Sequence, residues 1–110
     1  MDLSIEVVSD VAVVVLHGEQ LDAGNAAVVR RKMAPVVAEH TNVVLDMGEL
    51  SFVDSSGLGA ILSFTRQLAS KGGELKLCNL QKPVRALVQL VRLHRVLDIL
   101  NTRDEAVAAF

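Results

Sequence analysis

Residues 43–62 read VVLDMGELSFVDSSGLGAIL, and three kinds of local structure meet in them. Val43-Val44-Leu45 is apolar on both faces and β-branched, the pattern of a strand buried inside a sheet. Asp46 to Val53 reads as a loop. Asp54-Ser55-Ser56-Gly57 then opens an apolar helical pattern, which places Ser55 or Ser56 near the helix N-cap. A hydroxyl there can accept from the free N–H groups of the first turn. The same groups, with the positive end of the helix dipole, would stabilise a phosphate carried on that hydroxyl. Gly57 and Gly59 leave the first turn bare, so another protein could approach its backbone closely. Spacing alone equally fits a plain capping serine and two turn glycines.

Upstream, Leu3, Ile5 and Val7 alternate with Ser4 and Glu6, as in a half-buried edge strand. Ser9-Asp10 is a two-residue turn, so Val11–Leu16 pairs back as an antiparallel hairpin and, being apolar on both faces, becomes central. Gly18 ends that strand. After Asp22, Ala26, Val29, Met33 and Val36–Val37 recur at helical spacing, and Arg30, Arg31 and Lys32 fall mostly on the other side. Pro35 sits inside this pattern and is expected to kink or shorten the helix.

Downstream, Leu58, Ile61, Leu62, Thr65 and Leu68–Ala69 predict the apolar face of the second helix, closed by Lys71-Gly72-Gly73. Leu75 and Leu77 mark a strand. Pro83 opens a third helix with Val84, Leu87, Val88 and Val91 inward. Val96–Leu100 predicts a short last strand, and Thr102-Arg103-Asp104-Glu105 fits a capping box before a helix that buries Val107 and Phe110. The order ββαβαβα(β)α is that of an α/β domain spanning residues 1–110. Its sheet is mixed and mostly parallel, with an antiparallel N-terminal edge strand and helices packed on it.

Composition narrows the function. The net charge is −2 with both signs interspersed, and Phe52, Phe64 and Phe110 are the only aromatics. A direct nucleic-acid binder is disfavoured on both counts. No apolar run approaches the ~20 residues of a membrane span. The N-terminus has no basic region followed by an apolar block, and the single Cys78 has no disulfide partner, so a cytoplasmic protein without membrane insertion is expected. His17, His40 and His94 have no metal-site spacing, and no cofactor is expected.

Asp46 ends an apolar strand, as the acceptor of a receiver domain would. Asp10 and Glu19 do not supply the acidic pair such a domain uses for Mg²⁺. The Gly-x-Ser-x-Gly spacing of a hydrolase elbow is missing, as is the Lys-Ser/Thr pair of a phosphate-binding loop. Neither of these enzyme readings is favoured. Arg85, Arg92 and Arg95 read as a solvated face.

The segment Asp54-Ser55-Ser56-Gly57-Leu58-Gly59 resembles the signature of STAS domains, especially bacterial anti-sigma factor antagonists. Val43–Asp46 and Leu50–Val53 match that family's strand and approach loop, and Gly18 and Leu21-Asp22 match its second-strand exit. The C-terminal part, from Val84-Arg85 through the Thr102 helix to Ala108, also follows its pattern. The resemblance implies a STAS-like fold and a non-enzymatic regulator of transcription. It implies that an anti-sigma factor serine kinase phosphorylates the second serine, Ser56. The unphosphorylated form captures that kinase and frees the sigma factor; phosphorylation ends the capture, and a serine phosphatase restores it. The implied partner surface comprises Asp22, Asp54, Ser55, Ser56, Gly57 and Leu58. STAS domains also serve as subunits of lipid-transport and stress-sensing assemblies, where no phosphorylation is required.

Overall fold

Seven strands and four helices follow one another along the chain. The computed structural model describes residues 1–110. In order they are β1 (Asp2–Val8), β2 (Val11–His17), β3 (Gln20–Leu21), α1 (Ala26–Glu39), β4 (Asn42–Asp46), β5 (Phe52–Val53), α2 (Ser55–Ala69), β6 (Glu74–Cys78), α3 (Lys82–Leu90), β7 (Asp98–Leu100) and α4 (Arg103–Ala108). A 3-10 turn, Leu93–Arg95, precedes β7. Ser9 and Asp10 both have positive φ, 49° and 65°. Such a turn matches the right-handed twist of the two strands it joins. β1 therefore pairs antiparallel with β2, while β2, β4, β6 and β7 are parallel neighbours. The main sheet runs β1-β2-β4-β6-β7, and the strands with apolar residues on both faces lie inside it.

The two faces of the sheet are covered unequally. On one face α1, α2 and α3 enclose a core of 24 buried residues, among them Val14, Leu45, Leu77, Met33, Phe64 and Val88. On the other, α4 covers a small cluster of Val11, Val13, Val44, Cys78 and Ala106. Burial pushes the Cys78 thiol up to about 12, with the nearby Asp46 carboxylate adding to the effect. On that second face Lys76 is only 2% exposed. Its ammonium bonds Glu74 at 2.6 Å and Asp98 at 2.7 Å and lies 4.7 Å from the centre of the Phe110 ring. Desolvation pushes its pKa down, but the bonds to Asp98 and Glu74 more than reverse this and hold it above its ordinary value. No helix is long and apolar enough to cross a membrane.

Several local expectations are corrected. Pro35 neither stops nor shortens α1, which runs on to Glu39. Pro35 and Arg31 are both exposed, so the carbonyl that loses its donor can turn to water. The loop after Asp46 contains β5, which pairs parallel with β3 as a separate two-stranded sheet. Ile5 and Val7 are 50% and 58% exposed, and Val15 is half-buried, because the helices do not reach over the sheet edge. α3 ends at Leu90, leaving Val91 half-exposed, and the last strand begins at Asp98 instead of Val96. Of the capping box only one half forms: the Thr102 hydroxyl accepts from the Glu105 N–H at 3.1 Å. α4 buries Ala106, with Val107 half-buried and Phe110 37% exposed.

The inward face of α2 is also rotated from the expected one. Gly57, Ala60, Ile61, Phe64 and Leu68 are buried, whereas Leu58, Leu62 and Thr65 are half-buried at its margin. Ile61→Ala should therefore cost about 2–5 kcal/mol in urea unfolding, and Leu62→Ala distinctly less. Equal losses would contradict this placement of the helix.

Candidate functional site

The α2 N-terminus is placed by the small β3–β5 sheet, whose register sets Gln20 beside Phe52 and Leu21 beside Val53. The Ser51 N–H donates to the Glu19 carbonyl at 2.8 Å, and the Asp54 N–H to the Leu21 carbonyl at 3.3 Å. The turn after β3 is thus brought against the residue that opens the helix.

Asp54 joins the two segments. It is the N-cap residue, in place of the serines expected there, and its backbone is extended as a cap requires. One carboxylate oxygen accepts from the Gly57 N–H at 3.0 Å. The other accepts from the Ala23 N–H at 3.0 Å. Hydrogen bonding from Gly57 above all, opposed by partial desolvation and assisted by Ala23 and Ser56, holds the Asp54 carboxyl below its usual value. One first-turn N–H that a phosphate could have used is therefore already taken.

Asp22 closes the adjoining turn by accepting from the Gly24 N–H at 2.9 Å. Asn25 braces it from the other side: its carbonyl oxygen accepts from the Asp22 N–H at 2.9 Å and its amide donates to the Gln20 carbonyl at 2.8 Å. Asp46 supports the approach loop, accepting from the Gly48 N–H and the Asn79 amide, each at 3.0 Å.

The structure brings Asp22 and Asp54 onto adjoining turns and sets Ser55, Ser56, Gly57 and Leu58 on the first turn of α2. Ser55 is exposed, and Ser56 and Leu58 are half-buried. Gly57 is corrected: it is buried and contributes no bare contact surface. A Cβ added there would lie 2.4 Å from the Leu21 carbonyl oxygen and 2.8 Å from a Val53 methyl. Its bareness lets α2 sit against β3. Gly59 is the open glycine, where a Cβ would meet only the Arg30 guanidinium at 3.4 Å.

Sequence reasoning missed the β3–β5 pairing and the roles of Ala23 and Asn25. One signal was available, since aspartate caps helices as well as serine does and Asp54 lies three residues before Gly57. It also missed a chain of side chains linking the hairpin to the approach loop. His17 bonds the Ser4 hydroxyl through Nε2 and Glu49 through Nδ1, both at 2.7 Å. No three His, Cys, Asp or Glu side chains converge as metal ligands.

A family model described as STAS domain matches residues 2–106. The anti-sigma F factor antagonist of Paenibacillus polymyxa is 33% identical over 111 residues, covering 97% of this chain and 94% of that protein. The solved structure of the anti-sigma factor antagonist SpoIIAA in its unphosphorylated form is similar with a TM-score of 0.78 and 28% identity, over 96% of this chain and 93% of that one. The Bacillus cell fate determinant SpoIIAA in its phosphorylated form is similar with a TM-score of 0.72 and 27% identity, over 98% of each chain.

Two substitutions separate the glycines. Gly57→Ala should lower the urea midpoint sharply, whereas Gly59→Ala should leave it unchanged or raise it, because only a flexible guanidinium must move. Equal effects would contradict the close approach at Gly57. Asp54 adds a pH signature. A carboxyl with a depressed folded pKa stabilises the fold above its ordinary value of 3.8, and that contribution is lost as pH falls through the folded value. Asp54→Ala should be less stable than wild type at neutral pH, with the gap closing in acid.

Proposed function

This chain belongs to the STAS domain family, and from that premise we propose that it is an anti-sigma factor antagonist working by partner switching. In this reading it is a non-enzymatic bacterial regulator of transcription in the cytoplasm. It captures an anti-sigma factor serine kinase while its serine pair is unmodified, is released on phosphorylation, and is reset by a serine phosphatase. The observation that carries the reading is the serine pair on the first turn of α2, beside the Asp22 turn, with Ser55 exposed. The partner surface is Asp22, Asp54, Ser55, Ser56 and Leu58, while Gly57 acts from beneath by seating the helix.

A phosphate adds about −1.5 to −2 charges at neutral pH. Here it arrives beside the Asp54 carboxylate, which already holds the Gly57 N–H. The added charge acts outward, on the partner, because the Gly57–Leu21 packing and the β3–β5 pairing do not involve the serine hydroxyls. Release comes from steric exclusion, desolvation and like-charge repulsion, with the fold intact. A hundredfold loss of affinity needs only about 2.7 kcal/mol.

Ser56 is the acceptor that the family resemblance implies. Ser55 is exposed and Ser56 half-buried, so Ser55 is the nearest alternative acceptor. Thr65 is the neighbouring competitor, and its hydroxyl is engaged with the Ile61 carbonyl at 3.0 Å.

The test begins with a pull-down from the native cell extract to identify the kinase. Wild type, Ser55→Ala and Ser56→Ala are then incubated with that kinase and ATP, and the modified residue is mapped by mass spectrometry. One phosphate on the pair is expected, abolished by Ser56→Ala and kept by Ser55→Ala. The reverse pattern overturns the assignment to Ser56. Phosphate on Thr65, or no modification by any cellular kinase, overturns the switch and favours a constitutive STAS scaffold.

A further inference from the structure

Beside the serine pair lies an open groove of about 390 Å³ between α2 and the segment that follows α3. Leu58 and Leu62 form one wall, and Val91, Leu93 and Val96 the other. Ser55 is part of the same lining, so anything seated in the groove touches the proposed switch. This wall is open to solvent, with Val91 50% and Val96 62% exposed, and Leu90, next to Val91 in the chain, is 79% exposed. Exposed apolar residues grouped in this way mark a surface for a macromolecular contact.

The charge on this surface has one sign. Arg92 is the only charged residue of the lining, and no carboxylate joins it. The Arg30 guanidinium lies by Gly59, which also lines the groove. In a chain whose net charge is −2, this is a local cationic rim around an apolar floor. A second copy docked by two-fold symmetry would bring the same cationic rim onto itself, which disfavours self-association here. Arg92 also holds a left-handed backbone, with φ of 60°. A residue with a side chain is strained there.

We infer that this groove seats an apolar segment flanked by acidic side chains, belonging to the anti-sigma partner, an inference that rests on the function proposed above. Its apolar side chains cover Leu58, Leu62, Val91 and Val96, and its carboxylates pair with Arg92. A phosphate on the serine pair then stands beside the groove that Ser55 lines and competes with those carboxylates for the same guanidinium. The switch thereby acts on the groove as well as on its own immediate contact.

Calorimetric titration of the purified kinase with the full chain tests this, using Val96→Glu and Arg92→Gly. Val96 is largely exposed, so its substitution spares the fold. Arg92→Gly removes the charge and relieves the backbone, so thermal stability should hold or rise while affinity falls. Each variant should bind about tenfold more weakly, equivalent to about 1.4 kcal/mol, and the Arg92→Gly deficit should shrink in high salt. If wild type binds and both variants stay within about twofold of it, on the tenfold scale above, the groove inference is wrong and the function proposal stands. If wild type binds no anti-sigma kinase, the function proposal fails and the inference falls with it. If Val96→Glu instead dissociates a dimer and leaves kinase binding unchanged, the groove belongs to a second copy and the inference is overturned.

Discussion

The α2 helix begins where its backbone lies too close to β3 for any side chain. A Cβ on Gly57 would overlap the Leu21 carbonyl oxygen at 2.4 Å, so glycine is required by packing alone. That contact sets how the helix meets the β3–β5 ribbon, and Asp54 holds it by accepting from Gly57 on one side and Ala23 on the other. The position of the serines and of the Asp22 turn follows from it. So does the arrangement of Leu58 and Leu62 along the margin of α2, with Ile61 and Phe64 turned into the core.

In the proposed switch this construction separates stability from signalling. The groups that hold the helix start are a buried glycine, a carboxylate and backbone amides. The serine hydroxyls lie outside that set, so they can change charge without removing a structural bond. Ser55 also borders the cationic, apolar groove next to α2. A charge placed there is felt by whatever occupies the surface, and the five-stranded sheet beneath has no reason to respond.

Much of this was legible in the sequence. Double-sided apolar strands at Val11 and Val43 and helical spacing from Ala26 to Val37 specify the succession of elements, because periodicity follows burial, and the alternation at Leu3–Val7 marks the edge strand although Ile5 and Val7 stay exposed. Two-residue strands carry no periodicity, so β3 and β5 were invisible, and with them the reason for Gly57. The α2 face was misjudged because Leu58 and Leu62 are as apolar as Ile61 and Phe64. Composition does not say which leucine points inward when a second apolar surface lies at the helix margin. Pro35 misled for a related reason: its cost depends on whether the freed carbonyl reaches water, and here the exposed side of α1 allows it.

The account is tested most directly by one comparison made on the same protein, unmodified and stoichiometrically phosphorylated on its serine pair. Affinity for the anti-sigma kinase is measured by calorimetry and folding stability by urea unfolding. The account predicts that affinity falls about a hundredfold or more, equivalent to at least about 2.7 kcal/mol, while the urea midpoint and slope stay the same. Equal affinity in the two forms would contradict the switch. A loss of affinity accompanied by a lower midpoint would contradict the claim that the phosphate acts on the partner and leaves the fold alone.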